Sequence, residues 1–461
     1  MFSIHKSTLI RLFSLSIGLL ILCIACIDKL VLPEDLNTSG NSSAGDTTYL
    51  FISPIWDQTY GLISPVELSI SADGHVFVAD SAASSIFVFE QSGNRLTEFD
   101  ALTELQDTGG VALNPIDVDV DQKMNVLFID GSNRIFRWNQ YWNMVGIDSF
   151  IVEGEFQENN SGNLVVASYG SLLWLQMVNN SNWSMVDTVW SNDQTLIDSL
   201  LNPHLFYDDN FEVNQALDPY FITDTSQFTA ITTVVDEKNH LFVTDKVTNR
   251  IIEINYAHNA YLHLGSGEKL WAHQGLFRRK VVGNGTGAGT VNNPIGIDID
   301  YEDNIYYCQQ GEVFSVHKIK PDPVYGTSNY ISAFQLYQHD IMDIGRFNRP
   351  LDIAVDNNQM IYVSNTGESE IMVFNSNGSF FKKAGIEEIQ INKEDWVPGD
   401  STSVIIDSTD TEYIIVQKGL LLDPAGIAVD DRGVIYVCDP QTSSIVRFRL
   451  SNSLDEDLQP N

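Results

Sequence analysis

The sequence predicts an all-β fold of four-stranded antiparallel sheets stacked radially, a β-propeller. Three observations predict it. One strand-turn-strand unit recurs seven times, most copies open on a proline-led apolar strand, and an apolar segment ahead of the first copy can supply the fourth strand that the last copy lacks. A lone meander of this kind cannot cover both its faces, whereas radial stacking covers both.

The centre of the unit is an apolar strand closed by a polar residue. It reads DGHVFVAD (73–80), KMNVLFID (123–130), SGNLVVAS (161–168), KNHLFVTD (238–245), EDNIYYCQ (302–309), NQMIYVSN (358–365) and RGVIYVCD (432–439). The intervals between copies are irregular. The strand ahead of it appears as PIDVDV, PIGIDID, PLDIAVD and PAGIAVD. Proline fits at the first residue of a strand, where no ladder donor is lost. The Asp-, Asn- and Gly-rich stretch that follows suits a tight turn. A third strand (SSIFVFE, NRIFRW, NRIIEI, SEIMVF, SSIVRF) comes next, and in several copies a short turn leads to a fourth. The third copy has no proline-led strand, and the fifth ends on Gln309 instead of aspartate.

The last copy, PAGIAVDDRGVIYVCDPQTSSIVRF, resembles the NHL repeat, whose pattern runs roughly P-x-G-I-A-V-D, a glycine turn, I-Y-V-A-D and N-R-I-x-x-F. The resemblance extends from about Ser64 to Phe448 and implies an NHL-type propeller over 49–450. NHL propellers often have six blades, so six is the alternative to seven. Propellers host binding modules and enzymes alike, so the resemblance informs fold far more than function.

After SSIVRFRL only an acidic tail remains, 451–461, while YLFISPI (49–55) has no partner of its own. That segment is expected to complete the last blade and leave no open sheet edge. Further upstream, Lys6 and Arg11 precede the apolar run LFSLSIGLLILCIAC, the pattern of a secretory signal. Ile24-Ala25-Cys26 resembles the bacterial lipobox. It implies a signal peptide over 1–25, lipidation of Cys26 and a lipid anchor in a bacterial membrane, with the protein periplasmic or surface-exposed. The Ser-, Gly- and Asn-rich stretch within 26–48 reads as a flexible tether. An uncleaved span is the alternative, although the uncharged run from Leu12 to Ile27 falls short of the roughly 20 residues a span needs.

With 61 acidic against 25 Lys and Arg residues, the formal charge is −36. Nucleic acid is not expected as a partner, because a phosphate backbone wants clustered cations and the only tight basic cluster is Arg278-Arg279-Lys280. Cys308 and Cys438 fill the same slot of different copies and are expected to stay unpaired, since a disulfide needs Cα atoms within about 7 Å. The recurring Asp80, Asp130, Asp245 and Asp439 read as turn caps. DVDVDQ lacks the glycine and terminal glutamate of an EF-hand loop, and GNGTGAG is not a phosphate loop. No nucleophile elbow or catalytic triad is recognisable.

The surplus residues are expected between the fourth strand of one unit and the first strand of the next, at 191–227, 268–293 and 386–422. Such connections share one face, and insertions on one face often mark a binding face. Their aromatic and arginine side chains give the partner-binding candidates Tyr207, Trp271, His273, Arg278, Arg279 and Trp396. The sequence thus points to a membrane-tethered, extracytoplasmic binding or scaffold module for a protein, peptide or glycan, with no cofactor. The alternative is a propeller enzyme, a lyase or lactonase-like hydrolase, using a divalent cation held by channel acids such as Asp117 or Asp300.

Overall fold

The computed structural model describes residues 48–451, apart from 108, 141–149, 159–163, 166–167, 170–171, 174–182, 192–200, 210–225, 235–239, 264–268, 312, 397–402 and 408–412. The expected signal peptide, Cys26 and nearly all of the tether and of the acidic tail lie outside the described residues. No helix among those described is long and apolar enough to cross a membrane.

Six blades form, the lower of the two numbers the sequence allows. Blade one contains Pro65–Ile70, Val76–Asp80 and Ser85–Phe89. Blade two contains Asp117–Val120, Asn125–Ile129, Arg134–Asn139 and His204–Asp208. Blade three is built from Phe228–Thr233, His240–Asp245, Arg250–His263 and Lys269–Val282. Blade four has Pro294–Ile299, Ile305–Gln309, Val316–Asp322 and Gly326–Ser332. Blade five has Pro350–Val355, Ile361–Asn365, Glu370–Phe374 and Phe380–Ala384. Blade six has Ile427–Val429, Val434–Asp439 and Ser444–Leu450, and its outer strand is Tyr49–Trp56 from the start of the domain. Each inner strand lies beside those of two neighbouring blades, from one round to six and back to one, so the ring is closed.

The second and third strands are buried along their whole length in most blades. That is why they read as unbroken apolar runs instead of alternating ones: both faces of the sheet are covered. The apolar core falls into six clusters, one at each blade-blade interface. Cys308 lies between blades four and five and Cys438 between blades six and one, both buried as free thiols. Burial pushes both thiols well above their ordinary pKa.

The expected closure is present. Tyr49 pairs with Leu450 and Phe51 with Phe448, a bulge follows Ile52, and Trp56 at the end of the strand is fully buried. The recurring aspartates do more than cap their own turns. Asp80 accepts the N–H groups of Ile63 (2.7 Å) and Ser64 (3.0 Å), just ahead of the inner strand, as well as that of Ala83 in its own turn (3.0 Å). Asp245 and Asp439 repeat the arrangement, and Gln309 and Asn365 replace it by accepting from Asn292 and Asn348. The slot therefore tolerates any short acceptor that ties the blade-to-blade connection to the turn beside it.

Two expectations are corrected. The copy at 161–168 is not a blade. It lies within an excursion between the third and outer strands of blade two, where Leu164–Val165 and Ser168–Tyr169 form only two-residue pairings. It lacks the proline-led inner strand that would line the ring. The surplus residues are also placed differently. His204–Asp208 and Lys269–Val282 are the outer strands of blades two and three themselves. The extra length around them belongs largely to third-to-outer turns, which in a meander share a face with the inner-to-second turns and oppose the blade-to-blade connections. The stretch 386–422 lies where expected, with a small sheet of Ile386–Asn392, Tyr413–Gly419 and Ser403–Asp407 between blades five and six, and 209–227 and 283–293 are likewise blade-to-blade connections.

Candidate functional site: the channel and its acidic mouth

The inner strands line the axis, and their alternation decides what faces it. Two residues past each opening position, the six blades carry Glu67, Asp117, Ala230, Gly296, Asp352 and Gly426 in order. Acids and small residues are complementary here. A Cβ at Gly296 would lie 2.8 Å from an Asp352 oxygen, and one at Gly426 would need the space that Oε1 of Glu67 occupies. The glycine of the proline-led strand is thus required where a neighbouring carboxyl leans across it.

Each inner strand is the edge of its sheet, so its channel-side N–H groups lack ladder partners. Carboxyls from the preceding blade satisfy them. Asp117 Oδ2 accepts from Ile231 N–H at 2.8 Å, Asp298 Oδ2 from Val355 N–H at 2.7 Å and Asp352 Oδ2 from Ile427 N–H at 2.9 Å. Asp119 accepts from the N–H and hydroxyl of Thr233 and, on its other oxygen, from the Ser69 hydroxyl at 2.7 Å. Such bonds contribute about 0.5–1.5 kcal/mol each to a neutral acceptor and about 1.5–3 kcal/mol to a charged one, and burial disfavours the charged form. That effect is visible. Burial raises Glu67, Asp117 and Asp298 well above the usual carboxylate range, with neighbouring carboxylates adding to the rise. Burial also raises Asp352, to about 7, against the lowering effect of its hydrogen bonds. These carboxyls hold protons at pH values where an exposed carboxyl would not.

Beyond this neck the channel widens into a cavity of about 600 Å³ on the face of the inner-to-second turns. Among the described residues its wall carries Asp73, Asp119, Asp121, Asp298, Asp430 and Asp431, with Arg432 as the sole base and no histidine, cysteine or lysine. Arg432 is already committed to Asp430, with Nη2 and Nε at 2.6 and 3.0 Å from Oδ2. Asp121 and Asp430 also cap their own turns through two backbone N–H groups each. Burial raises the pKa of Asp298 and Asp121, and Arg432 offsets Asp430, so the negative potential toward solvent comes mainly from the remaining aspartates, and it can attract cationic or polar ligands. Among the described residues, no group of three or more His, Cys, Asp or Glu side chains is arranged to hold a metal ion.

The sequence-derived candidates do not converge on one site. Tyr207 is buried in the core between blades two and three, and its hydroxyl donates to Asp209 at 2.8 Å. Arg278 and Arg279 both pair with the buried Glu253, Arg279 through Nε at 2.6 Å. Arg279 also donates to the Thr327 and Ser328 carbonyls, tying the outer strands of blades three and four together. Trp271 and His273 belong to the outer half of the long hairpin of blade three, opposite Tyr261 and His258. Trp396 is half-buried beside the small sheet ahead of blade six, on the other face from that hairpin. Asp117 does line the channel, whereas Asp300 is a turn cap bonded to Glu302 N–H, Asn304 N–H and the Tyr306 hydroxyl. Of the mouth acids, Asp119 and Asp121 fall in the DVDVDQ run weighed from sequence as a calcium loop, whereas Asp73, Asp430 and Asp431 were not singled out, because Asp in the first turn of each unit reads as turn chemistry. The available signal was its recurrence in the same turn of unit after unit.

No protein-family model and no curated protein matches the chain. Among solved structures, it is similar to virginiamycin B lyase from Staphylococcus aureus, at 12% identity over 88% of this chain and 100% of that one, with a TM-score of 0.41. It is similar to a gluconolactonase from Xanthomonas campestris, at 9% identity over 88% and 90% of the two chains, with a TM-score of 0.41. An auxiliary nutrient binding protein from Bacteroides thetaiotaomicron is similar at 7% identity over 88% and 77%, with a TM-score of 0.45.

Proposed function

We propose that this chain is an NHL-type propeller, lipid-anchored through Cys26 outside the cytoplasm, that works as a binding module with its site at the acidic channel mouth. The observation that carries the reading is the cavity of about 600 Å³ walled by six aspartates and a single, already paired arginine. Size and polarity suit a small polar ligand or the tip of a larger partner, and the charge selects a cationic one. The long hairpin and the excursion of blade two leave from third-to-outer turns on this same face, where extra loops often carry binding residues. Calorimetry with an oligolysine peptide tests the site. Binding should weaken with salt and fall at least several-fold in Asp73→Asn/Asp431→Asn, while an oligoglutamate peptide does not bind. Equal affinity in the variant would remove the mouth from consideration. The anchor has its own test: Cys26→Ala should abolish fatty-acid labelling.

A second reading, a lyase or lactonase-like hydrolase, draws on the proton-holding carboxyls of the neck, since elevated carboxyl pKa values cluster at catalytic sites. It predicts turnover that is lost in Asp117→Asn and survives Trp271→Ala. The binding reading predicts no turnover in either protein.

A further inference from the structure

We infer that Glu67 and Asp352 share a proton across Gly426 and so clasp blade six between its neighbours, a clasp that loosens when alkaline solution removes the proton.

The geometry comes first. Glu67 belongs to blade one and Asp352 to blade five, yet both carboxyls line the same neck and converge on Gly426–Ile427, Glu67 Oε1 against Gly426 and Asp352 Oδ2 on the N–H of Ile427. They meet over the inner strand of blade six. Both the Cα and Oε1 of Glu67 occupy the space that a Cβ of Gly426 would need, so only glycine permits the crossing. Backbone bonds hold the same spot: Gly426 N–H donates to the Val66 carbonyl, Ile427 N–H to Asp352 Oδ2 and Leu68 N–H to Glu67 Oε1. Two carboxyls can hydrogen-bond only if one keeps its proton. Blade six is also the blade built from the two ends of the domain.

The surroundings favour the proton. Around the pair stand Asp117 and Asp119 of blade two, Asp298 and Cys308 of blade four and Cys438 of blade six, with Asp80 and Asp439 beyond Cys438. Every one is an acid or a thiol, and the residues lining the neck include no Lys, Arg or His. Losing the shared proton would leave two buried carboxylates in contact with no cation to offset them, which drives the pair apart. Asp352 then swings away from Ile427 N–H, and blade six loses a tie on each side.

The direction with pH follows. Glu67 and Asp352 are both raised above their unfolded values, Asp352 to about 7. The unfolded chain releases these protons near pH 4, the folded chain only later. Their contribution to stability is complete below the unfolded values and declines as pH rises through the folded ones.

Melting curves from pH 5 to 9 test the clasp. Glu67→Gln keeps a donor to Asp352 but has nothing to titrate. It should match the wild type near pH 5 and exceed it by roughly 2–4 °C at pH 9. Asp352→Asn should remove the same part of the pH dependence, and the double variant should remove no more than either single one, because the proton belongs to the pair. Asp352→Asn carries the test alone if Glu67→Gln does not fold. Curves that stay parallel to the wild type at all pH values, or single effects that add in the double variant, would overturn the proposal.

Discussion

Blades two and six solve the same problem in opposite ways. Each completes its sheet with a strand that does not follow its third strand directly. Blade six takes Tyr49–Trp56 from the far end of the domain, and blade two takes His204–Asp208 after an excursion through residues 140–203. In both, the arriving strand buries aromatic residues: Tyr49 and Trp56 in one, Phe206 and Tyr207 in the other. What differs is the connection. Blade six has none across its outer edge, so its closure holds the whole ring together. Blade two has a continuous one, whose entropy grows only by about 0.6 kcal/mol per doubling of length. A sheet edge selects a strand by its pattern and its burial, and is nearly indifferent to how far along the chain that strand lies.

The largest effect should come from removing residues 49–56. Without them the third strand of blade six becomes an open edge, and the core between blades six and one loses Trp56. We expect loss of cooperative melting and aggregation on size-exclusion chromatography. A soluble monomer with an unaltered melting curve would show that blade six can stand with three strands, and the contrast with blade two would vanish.

Next in size is Phe206→Ala. Phe206 is fully buried between blades two and three and meets Tyr256 edge-on with ring centres 5.1 Å apart. Truncating a buried phenylalanine costs about 3–5 kcal/mol, read from denaturant midpoints. A cost below about 1 kcal/mol would mean that the outer strand of blade two is dispensable and that only blade six depends on a strand arriving from afar.

These two blades also mark what the sequence discloses. Closure was legible because no apolar strand follows the third strand of the last copy and an unpartnered apolar strand waits at Tyr49. The route of blade two was not, because SGNLVVAS imitates the second strand of the unit and invites a seventh blade. Its missing proline-led strand was the warning, since a blade without an inner strand has nothing to contribute to the ring. Site residues divided the same way. Arg278 and Arg279 look like binding anchors in a string of letters, but the buried Glu253, opposite Arg279 on the adjacent strand, pairs with both. Of the neck carboxyls Asp117 was legible as a channel acid, while Glu67 and Asp352 sit in the very motif that predicts the fold, so their strand-forming role masked their position on the axis.

A smaller effect is expected at Gly426 of blade six. In blade two the equivalent slot is filled by Asp117, which reaches forward to Ile231 and needs no gap of its own. In blade six the gap is occupied by Glu67. Gly426→Ala should therefore destabilise by about 1–3 kcal/mol through overpacking, seen as a lower denaturant midpoint. Glu67→Ala in the same chain should recover part of that loss, because it vacates the space. Failure of the second change to recover anything would place the strain in the backbone contact with Glu67 Cα and not in its carboxyl.

The smallest effect on stability should come from replacing residues 141–200 with a four-residue turn. The outer strand of blade two would keep its register, Leu205 opposite Phe136 and Tyr207 opposite Ile135, and shortening the link lowers the closure entropy by roughly 2–3 kcal/mol. Against that gain stands the loss of the strand Phe150–Glu158, which pairs through Val152 and Ile151 with Ala260 and Tyr261 near the tip of the long hairpin of blade three. The two changes oppose one another, so the melting temperature should move by no more than a few degrees. Oligolysine binding is the more informative readout of the same protein. The excised segment leaves from the face that carries the acidic mouth. An unchanged melting curve with weakened binding would assign the excursion to the site. Unchanged binding would confine the site to the mouth acids, and collapse of the fold would show that blade two, like blade six, depends on more than the strand that completes it.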